Sequence, residues 1–219
     1  MSVSLKEIYH QIQHFEMQLL AGKNGMTKEV RWTHMVDSDT VSAFLQGNEL
    51  VFTTGLGLNE KLTLFMLVKD VYKNGASGIV INTGPYISEI GSEILDFAEE
   101  HDFPVFEVPW HVRMAEIMRI ICFTITKDEQ QSLEVASALN FAFTCPKQEE
   151  VYLPVLMKKG WLSDGKYRIC SVSILREGKR ITPERLDALH SQLLLYFRHN
   201  EKGILHSYLT FLSYQDHML

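Results

Sequence analysis

Four apolar segments in the first half of this chain each run directly into a cluster of small, polar or aromatic residues. Helix-like segments separate the later ones, and this alternation predicts strands of a parallel sheet. In such a sheet the loops diverge at the carboxyl ends of the strands, where backbone groups are free to meet a ligand. We therefore expect a small-molecule site at this edge, the carboxyl-end rim. The four segments are residues 30–36, 49–52, 78–81 and 104–108, and the clusters after them begin at Asp37, Thr53, Asn82 and Pro109.

The composition is that of an ordinary globular protein with room for one or two domains. Among 219 residues, 46% are hydrophobic and 22% are charged. No apolar run approaches the roughly 20 residues that a membrane helix needs, and the first residues lack the pattern of a signal peptide. We therefore expect a cytoplasmic protein with no membrane partner.

The charge balance argues against direct binding of nucleic acid. The formal net charge is −6, and neither half of the chain has the basic excess that a phosphate backbone demands. The three cysteines, Cys122, Cys145 and Cys170, are scattered and odd in number. They fit reduced thiols better than a disulfide framework or a zinc site.

Helical patterns surround the predicted strands. Ser4 and Glu7 have the spacing of a capping box and begin an amphipathic helix whose apolar stripe extends to Leu19. Helices are predicted over 60–74 and 88–101. From 112 to about 143 the pattern fits one long helix or two helices with a bend, and a shorter helix covers 148–159.

The last part of the chain predicts a second, incomplete α/β unit. A strand over 167–175, a turn, a helix from Pro183 to about His199 and a strand over 204–214 give too small a core to be comfortable alone. The fold class is therefore α/β, with a mainly parallel sheet flanked by helices, a long connecting helix and a partial second unit. The predicted boundaries are 1–125, 126–164 and 165–219.

Side chains suited to ligand binding gather near the predicted rim. Trp32 and His34 share one strand face and could supply an aromatic platform and a hydrogen-bonding ring, or simply pack under a helix. Hydroxyls and free N–H groups around Gly55 suit an anion or a planar polar ring, although a tight turn explains them equally well. The predicted ligand-binding set is Trp32, His34, Asp37, Thr53, Thr54, Gly55, Asn82, Thr83, Gly84, Glu107, Trp110 and Arg113.

Glu107 stands out because its strand is otherwise apolar. Burial of this carboxylate would need a partner, such as Arg113 or a backbone amide. Trp110, three residues later, suits stacking on a planar ligand or filling a core.

Enzyme signatures are weak. The sequence has no His-Glu-x-x-His motif and no Gly-x-Ser-x-Gly elbow, and Cys122 falls on an apolar helical stripe. We therefore expect no catalytic residues, no metal and no cofactor. Two alternatives remain: an enzyme for a small metabolite that uses Glu107 or His34 as general base, and a scaffold that only dimerises.

Several stretches resemble the N-terminal domain of the PucR family, the purine-catabolism-regulator-like transcription factors of bacteria. The resemblance covers residues ~1–125 and departs at Asn48, where the family usually has glycine. The matching stretches are Val-Arg-Trp-Thr-His at 30–34, Phe-Leu-Gln-Gly-Asn-Glu-Leu at 44–50, Thr-Thr-Gly-Leu at 53–56, Gly-Ala-Ser-Gly at 75–78 and Phe-Pro-Val-Phe-Glu-Val-Pro-Trp at 103–110.

The resemblance implies a sensor of a small-molecule effector, with a purine-related compound as the family-level expectation. It implies that residues 165–219 are part of a degenerate GGDEF-like domain, although no Gly-Gly-Asp-Glu-Phe stretch occurs. It also implies that DNA is bound only through a C-terminal helix-turn-helix missing from this chain, which would make the chain a truncated form or a fragment. A homodimer formed through the 112–143 helix is the expected assembly.

Overall fold

The computed structural model describes residues 3–158, 160, 161 and 163, together with four two-residue strands nearer the C-terminus. The chain divides into two compact units, Met1–Asp128 and Glu129–Leu219. The first unit contains the sheet and the carboxyl-end rim. Among the described residues, no helix is long and apolar enough to cross a membrane.

The first helix begins as the sequence predicts. Strand β1 (Val3–Ser4) leads into helix α1 (Leu5–Ile12), and Ser4 is its N-cap. The Ser4 hydroxyl accepts from the Glu7 N–H at 3.3 Å, while the Glu7 carboxylate accepts from the Ser4 N–H at 3.0 Å. This capping box satisfies backbone donors that the first turn leaves without partners.

The predicted extension of this helix to Leu19 is wrong. The chain leaves the helix through one 3₁₀ turn, after which Glu16 adopts a left-handed backbone with φ of 58°. Leu19 then lies in strand β2 (Gln18–Ala21), where it is paired with Phe106. The apolar spacing fits either structure, and pairing with a distant strand decides the outcome.

Strand β2 forms one edge of a five-stranded mixed sheet. After strand β3 (Glu29–Val30), which pairs antiparallel with β1, the chain enters strand β4 (Trp32–Met35). The predicted strand over 30–36 is thus divided in two. The sheet order is β2-β7-β6-β5-β4, with only β2 antiparallel, and the central strands are β5 (Glu49–Thr53), β6 (Gly78–Thr83) and β7 (Val105–Pro109).

Four helices accompany these strands. The short helix α2 (Asp39–Ser42) follows β4, α3 (Leu64–Lys73) follows β5, α4 (Ser92–Glu100) follows β6 and α5 (Met114–Thr144) follows β7. Helices α3 and α4 begin four residues later than predicted, because Thr63 caps α3 and extended backbone at Gly91 precedes α4. Residues 60–63 and 88–91, which were predicted to be helical, therefore belong to two loops at the rim, 54–63 and 84–91.

Helices cover both faces of the sheet. Alternating strand residues pack toward opposite sides. Leu50 and Phe52 belong to a core with α1 and the first turns of α5, whereas Val51 belongs to a core with α3 and α4. The mainly parallel α/β fold class is therefore confirmed for the first unit.

The second unit is described in part. The α5 helix is continuous, which decides between the two predicted forms of this segment, and helix α6 (Glu149–Lys158) follows. Two short antiparallel pairs are described: β8 (Leu175–Arg176) with β9 (Lys179–Arg180), and β10 (Ser213–Tyr214) with β11 (His217–Met218). The predicted helix 183–199 and most of the predicted strands 167–175 and 204–214 lie outside the described residues.

Candidate functional site

The carboxyl-end rim begins with a network around Asp37, just after β4. The Asp37 carboxylate accepts hydrogen bonds from the Thr53 hydroxyl at 2.8 Å and from the Thr54 hydroxyl at 2.9 Å. It also accepts from the backbone N–H groups of Thr54 at 2.8 Å and Gly55 at 3.0 Å. These four bonds tie the end of β4 to the end of β5. The hydroxyls and amides predicted for a ligand are thus engaged by a carboxylate of the chain itself.

Two glycines make this loop possible. Gly55 has φ of 77°, in the left-handed backbone region that residues other than glycine rarely adopt. At Gly57 a Cβ atom would run into the carbonyl of Asp37. The loop after β5 is therefore held close to the end of β4 by backbone geometry as well as by hydrogen bonds.

The next pair of strand ends is held together by polar side chains. The Asn82 amide donates to the carbonyls of Val108 at 3.0 Å and Pro109 at 3.1 Å, which ties β6 to β7. The Thr83 hydroxyl donates to Glu107 at 2.8 Å. Glu107 is half-buried, and this hydroxyl is its partner instead of Arg113.

Aromatic side chains lie beyond these strand ends. Trp110 and Tyr86 form an edge-to-face pair with ring centroids 5.8 Å apart, and they are 46% and 52% exposed, respectively. Gly84 lies against Trp110, where a Cβ atom would come within 2.6 Å of the Trp110 Cβ. A glycine is therefore required for the indole to lie over the end of β6. Large exposed rings of this kind are available for stacking.

Tyr86 is absent from the predicted set, although it lies in the same loop as Gly84, directly after β6. Its signal in the sequence is an aromatic residue directly after Gly84-Pro85. Leu56, 64% exposed in the loop after β5, is a second apolar rim residue that the pattern did not single out. A single apolar residue in a loop belongs to no periodic pattern, so the sequence gives no signal that it could contact a ligand.

Three residues of the predicted ligand-binding set lie away from the aromatic pair and the hydrogen-bonded strand ends of the carboxyl-end rim. Trp32 is the first residue of β4, so it lies at the amino end of the sheet, opposite the rim. His34 is half-buried inside the edge strand β4. Arg113 is exposed at the start of α5, where its guanidinium lies 3.6 Å from the Glu116 carboxylate.

Within the described residues, no group of three or more His, Cys, Asp and Glu side chains is arranged to hold a metal ion. Near the rim, His111 Nε2 lies 3.0 Å from Glu16 Oε1, but both side chains are well exposed. Such a pair stabilises the fold little. The chemistry that the rim offers a ligand is stacking on the exposed rings and hydrogen bonding to the half-buried Glu107 carboxylate, because the half-buried Asp37 carboxylate is already engaged by the loop after β5.

The first unit is thus an α/β domain with helices on both faces of its sheet and with aromatic and polar groups along one rim. Residues 8–125, more than half of the chain, match the purine catabolism regulatory protein-like family, PucR. The chain belongs to this family, which confirms the resemblance found in the sequence.

One curated relative supports the same family assignment. The chain is 32% identical over 142 residues to the "Purine catabolism regulatory protein" of Bacillus subtilis (strain 168). The match covers 64% of the present chain and 27% of the relative, so the chain spans about a quarter of that protein. The family and the relative indicate a regulator of the purine-catabolism type.

Proposed function

We propose that the carboxyl-end rim binds a small, planar, nitrogen-rich metabolite and that this binding regulates transcription. The observation that carries the proposal is the exposed Trp110–Tyr86 pair at the ends of β6 and β7. A planar heterocycle gains by stacking on an indole, and a half-buried carboxylate such as Glu107 accepts N–H groups of the ligand. The name of the bacterial relative points to purines and their breakdown products as the first compounds to test.

The proposal assigns different roles to the predicted residues. Trp110, Tyr86 and Glu107 contact the ligand. Asp37 and Asn82 are positioning residues, because their polar atoms already hold neighbouring strand ends together. An effector changes the activity of a regulator only if it binds two states of the protein with different affinities.

A thermal-shift measurement on the full chain tests the rim. Hypoxanthine, xanthine, uric acid and allantoin are the probes, each at a series of concentrations. At 100 times the dissociation constant, a ligand specific for the folded state stabilises it by about 2.7 kcal/mol. We expect a selective shift that is lost in Trp110→Ala and retained in the matched control Trp32→Ala, which removes an indole of similar exposure at the opposite end of the sheet.

A selective shift that survives both Trp110→Ala and Glu107→Gln would contradict the rim assignment. A flat response to all four compounds would contradict the purine class. Binding without chemistry is part of the proposal, so turnover of any bound compound by the full chain would favour the alternative of an enzyme with Glu107 or His34 as general base.

We further propose a homodimer formed along α5, with DNA bound by a region outside the present chain. Leu133 and Phe143 are 65% and 47% exposed on this helix. Large apolar side chains exposed along a helix are typical of association surfaces. Sedimentation of the full chain should show a dimer that Leu133→Glu dissociates and Asn140→Glu, at an exposed polar position, does not. A monomer at micromolar concentration, or equal effects of the two variants, would contradict the assignment.

A GGDEF-like nature of residues 165–219 also remains a proposal. It is supported by the order of predicted elements in that segment, and it predicts no nucleotide cyclase activity because the signature stretch is absent.

A further inference from the structure

The carboxylate of Glu107 leans toward the carboxyl-end rim. Its register partner on the neighbouring parallel strand is Ile81, but its Oε1 atom accepts a hydrogen bond at 2.8 Å from the hydroxyl of Thr83, two residues closer to the rim. The side chain therefore extends along β7 toward the end of the strand. Because Thr83 is the last residue of β6, this bond also holds the carboxylate at the strand end before any ligand arrives.

Part of this carboxylate is open to a ligand. A carboxylate offers roughly four lone-pair sites, and the Thr83 hydroxyl fills one of them. The Oε2 atom of Glu107 accepts no hydrogen bond from the residues that the structure describes. The side chain is half-buried, which leaves this atom within reach of solvent. Glu107 therefore has room for two further donors, one at each oxygen.

The stacking surface begins beside the same strand end. Gly84 follows Thr83 directly, and a Cβ atom at Gly84 would come within 2.6 Å of the Trp110 Cβ, so the indole lies over the end of β6. The Gly84 N–H donates to the Ile87 carbonyl at 2.7 Å, which closes the turn that carries Tyr86. The carboxylate and the indole thus contact two consecutive residues, Thr83 and Gly84.

The negative charge of Glu107 has no ion-pair partner in the described part of the chain. The two basic side chains that follow it in the sequence lie beside other carboxylates. His111 Nε2 is 3.0 Å from Glu16 Oε1. The Arg113 guanidinium is 3.6 Å from Glu116 Oε1. An anionic ligand would therefore meet an uncompensated negative charge, whereas an uncharged ligand with N–H donors would form charge-assisted hydrogen bonds.

We propose that Glu107 selects an uncharged heterocycle with two adjacent N–H donors on one edge, the arrangement that guanine has at N1 and its 2-amino group. The ring stacks on Trp110 while the two donors bind the two carboxylate oxygens. Hypoxanthine lacks the amino group and xanthine has an oxygen in its place, so each forms only one of these bonds. A site that hydrogen-bonds a ligand group discriminates against analogues without it, because the polar atom of the site is left unpaired. Since guanine would occupy the rim, its selection rests on the function proposed above.

Guanosine and inosine are the probes, because they carry guanine and hypoxanthine as soluble, uncharged nucleosides that differ by one amino group. Isothermal titration calorimetry on the full chain measures each dissociation constant. We expect guanosine to bind about tenfold or more tightly than inosine, the effect of one hydrogen bond to a charged group. Guanosine 5′-monophosphate should bind more weakly than guanosine, because its phosphate adds negative charge at an acidic site.

Glu107→Gln changes the hydrogen-bonding pattern and keeps the size of the side chain. An amide offers one acceptor and one donor group, which suits the N1–H and C2 carbonyl of xanthosine and opposes the 2-amino group of guanosine. We expect this variant to lose the preference for guanosine over inosine and to bind xanthosine more tightly than the wild type does. Glu89→Gln removes the same charge at an exposed position of the rim loop 84–91 and should keep the wild-type preference. Circular dichroism verifies that both variants fold.

The possible results separate this selection from the function proposed for the rim. If inosine binds as tightly as guanosine and Trp110→Ala abolishes the binding of both, the rim function stands and selection by Glu107 is overturned. Unchanged discrimination in Glu107→Gln, or tighter binding of guanosine 5′-monophosphate than of guanosine, overturns the selection as well. If neither nucleoside binds, the purine class of the proposed function falls together with the selection of guanine.

Discussion

Asp37 offers the sharpest test of how the carboxyl-end rim is built. Its Oδ1 atom accepts three hydrogen bonds, from the Thr53 hydroxyl and from the N–H groups of Thr54 and Gly55, and its Oδ2 atom accepts one from the Thr54 hydroxyl. Asp37→Ala removes all four bonds, whereas Asp37→Asn can keep the three at Oδ1. The two variants should therefore differ greatly in stability.

The magnitude follows from the partners that each variant leaves behind. A hydrogen bond to a charged group contributes about 1.5–3 kcal/mol, but four bonds to one half-buried carboxylate do not add, and water reaches part of the site. The Thr53 hydroxyl is fully buried and still accepts from the Gly55 N–H at 3.2 Å. We expect Asp37→Ala to lower the free energy of unfolding by about 3 kcal/mol and Asp37→Asn to lower it by about 1 kcal/mol.

Urea denaturation of the full chain, followed by circular dichroism, measures both values. Asp96→Ala removes an exposed carboxylate on α4 and is the matched control, with an expected change within about 0.5 kcal/mol. The reasoning is refuted if Asp37→Ala is as mild as Asp96→Ala. It is equally refuted if Asp37→Asn lowers the free energy of unfolding as much as Asp37→Ala does, because the three hydrogen bonds to Oδ1 would then contribute no stability.

Two further predictions concern other parts of the first unit. Burial lowers the pKa of Lys28 from 10.5, although nearby Asp102 opposes the shift. Just below pH 10.5 the unfolded chain therefore binds more protons than the folded chain does, so the stability of the fold rises with pH in that range. Lys28→Met should flatten this rise in urea unfolding curves measured from pH 8 to 10.5, and an unchanged slope would contradict it. Gly84→Ala forces a methyl group against Trp110 and should destabilise the fold by about 1–3 kcal/mol, with a shift in indole fluorescence; unchanged stability and emission would contradict the close contact.

Much of the fold could be predicted because its signals are local. The capping box of Ser4 and Glu7 acts over one helical turn, and apolar stripes with helical spacing mark α3 and α4. The apolar β5 and β6 segments, with helical patterns between strands, indicate a parallel sheet. Each of these patterns depends on residues a few positions apart, so the sequence alone displays them.

The missed strand β2 shows where local signals fail. Leu19 continues the apolar spacing of α1, and nothing near it in the sequence reveals its pairing with Phe106. The same limit applies to Glu107, whose partner is the Thr83 hydroxyl on the neighbouring strand and not the nearby Arg113. A polar side chain in a sheet takes partners across strands, and these are separated by tens of residues.

The features of the candidate site likewise fall into those that the sequence predicts and those that depend on tertiary packing. The sequence by itself determined that Thr53, Asn82 and Trp110 lie at the carboxyl ends of parallel strands and therefore at one rim, because strand direction is set by order along the chain. Only the tertiary structure decided that Asp37 already occupies the amides of the β5 loop and that Trp32 lies beside a buried Glu49 at the opposite end. Strand register and burial decide these contacts, and both arise from packing between distant segments.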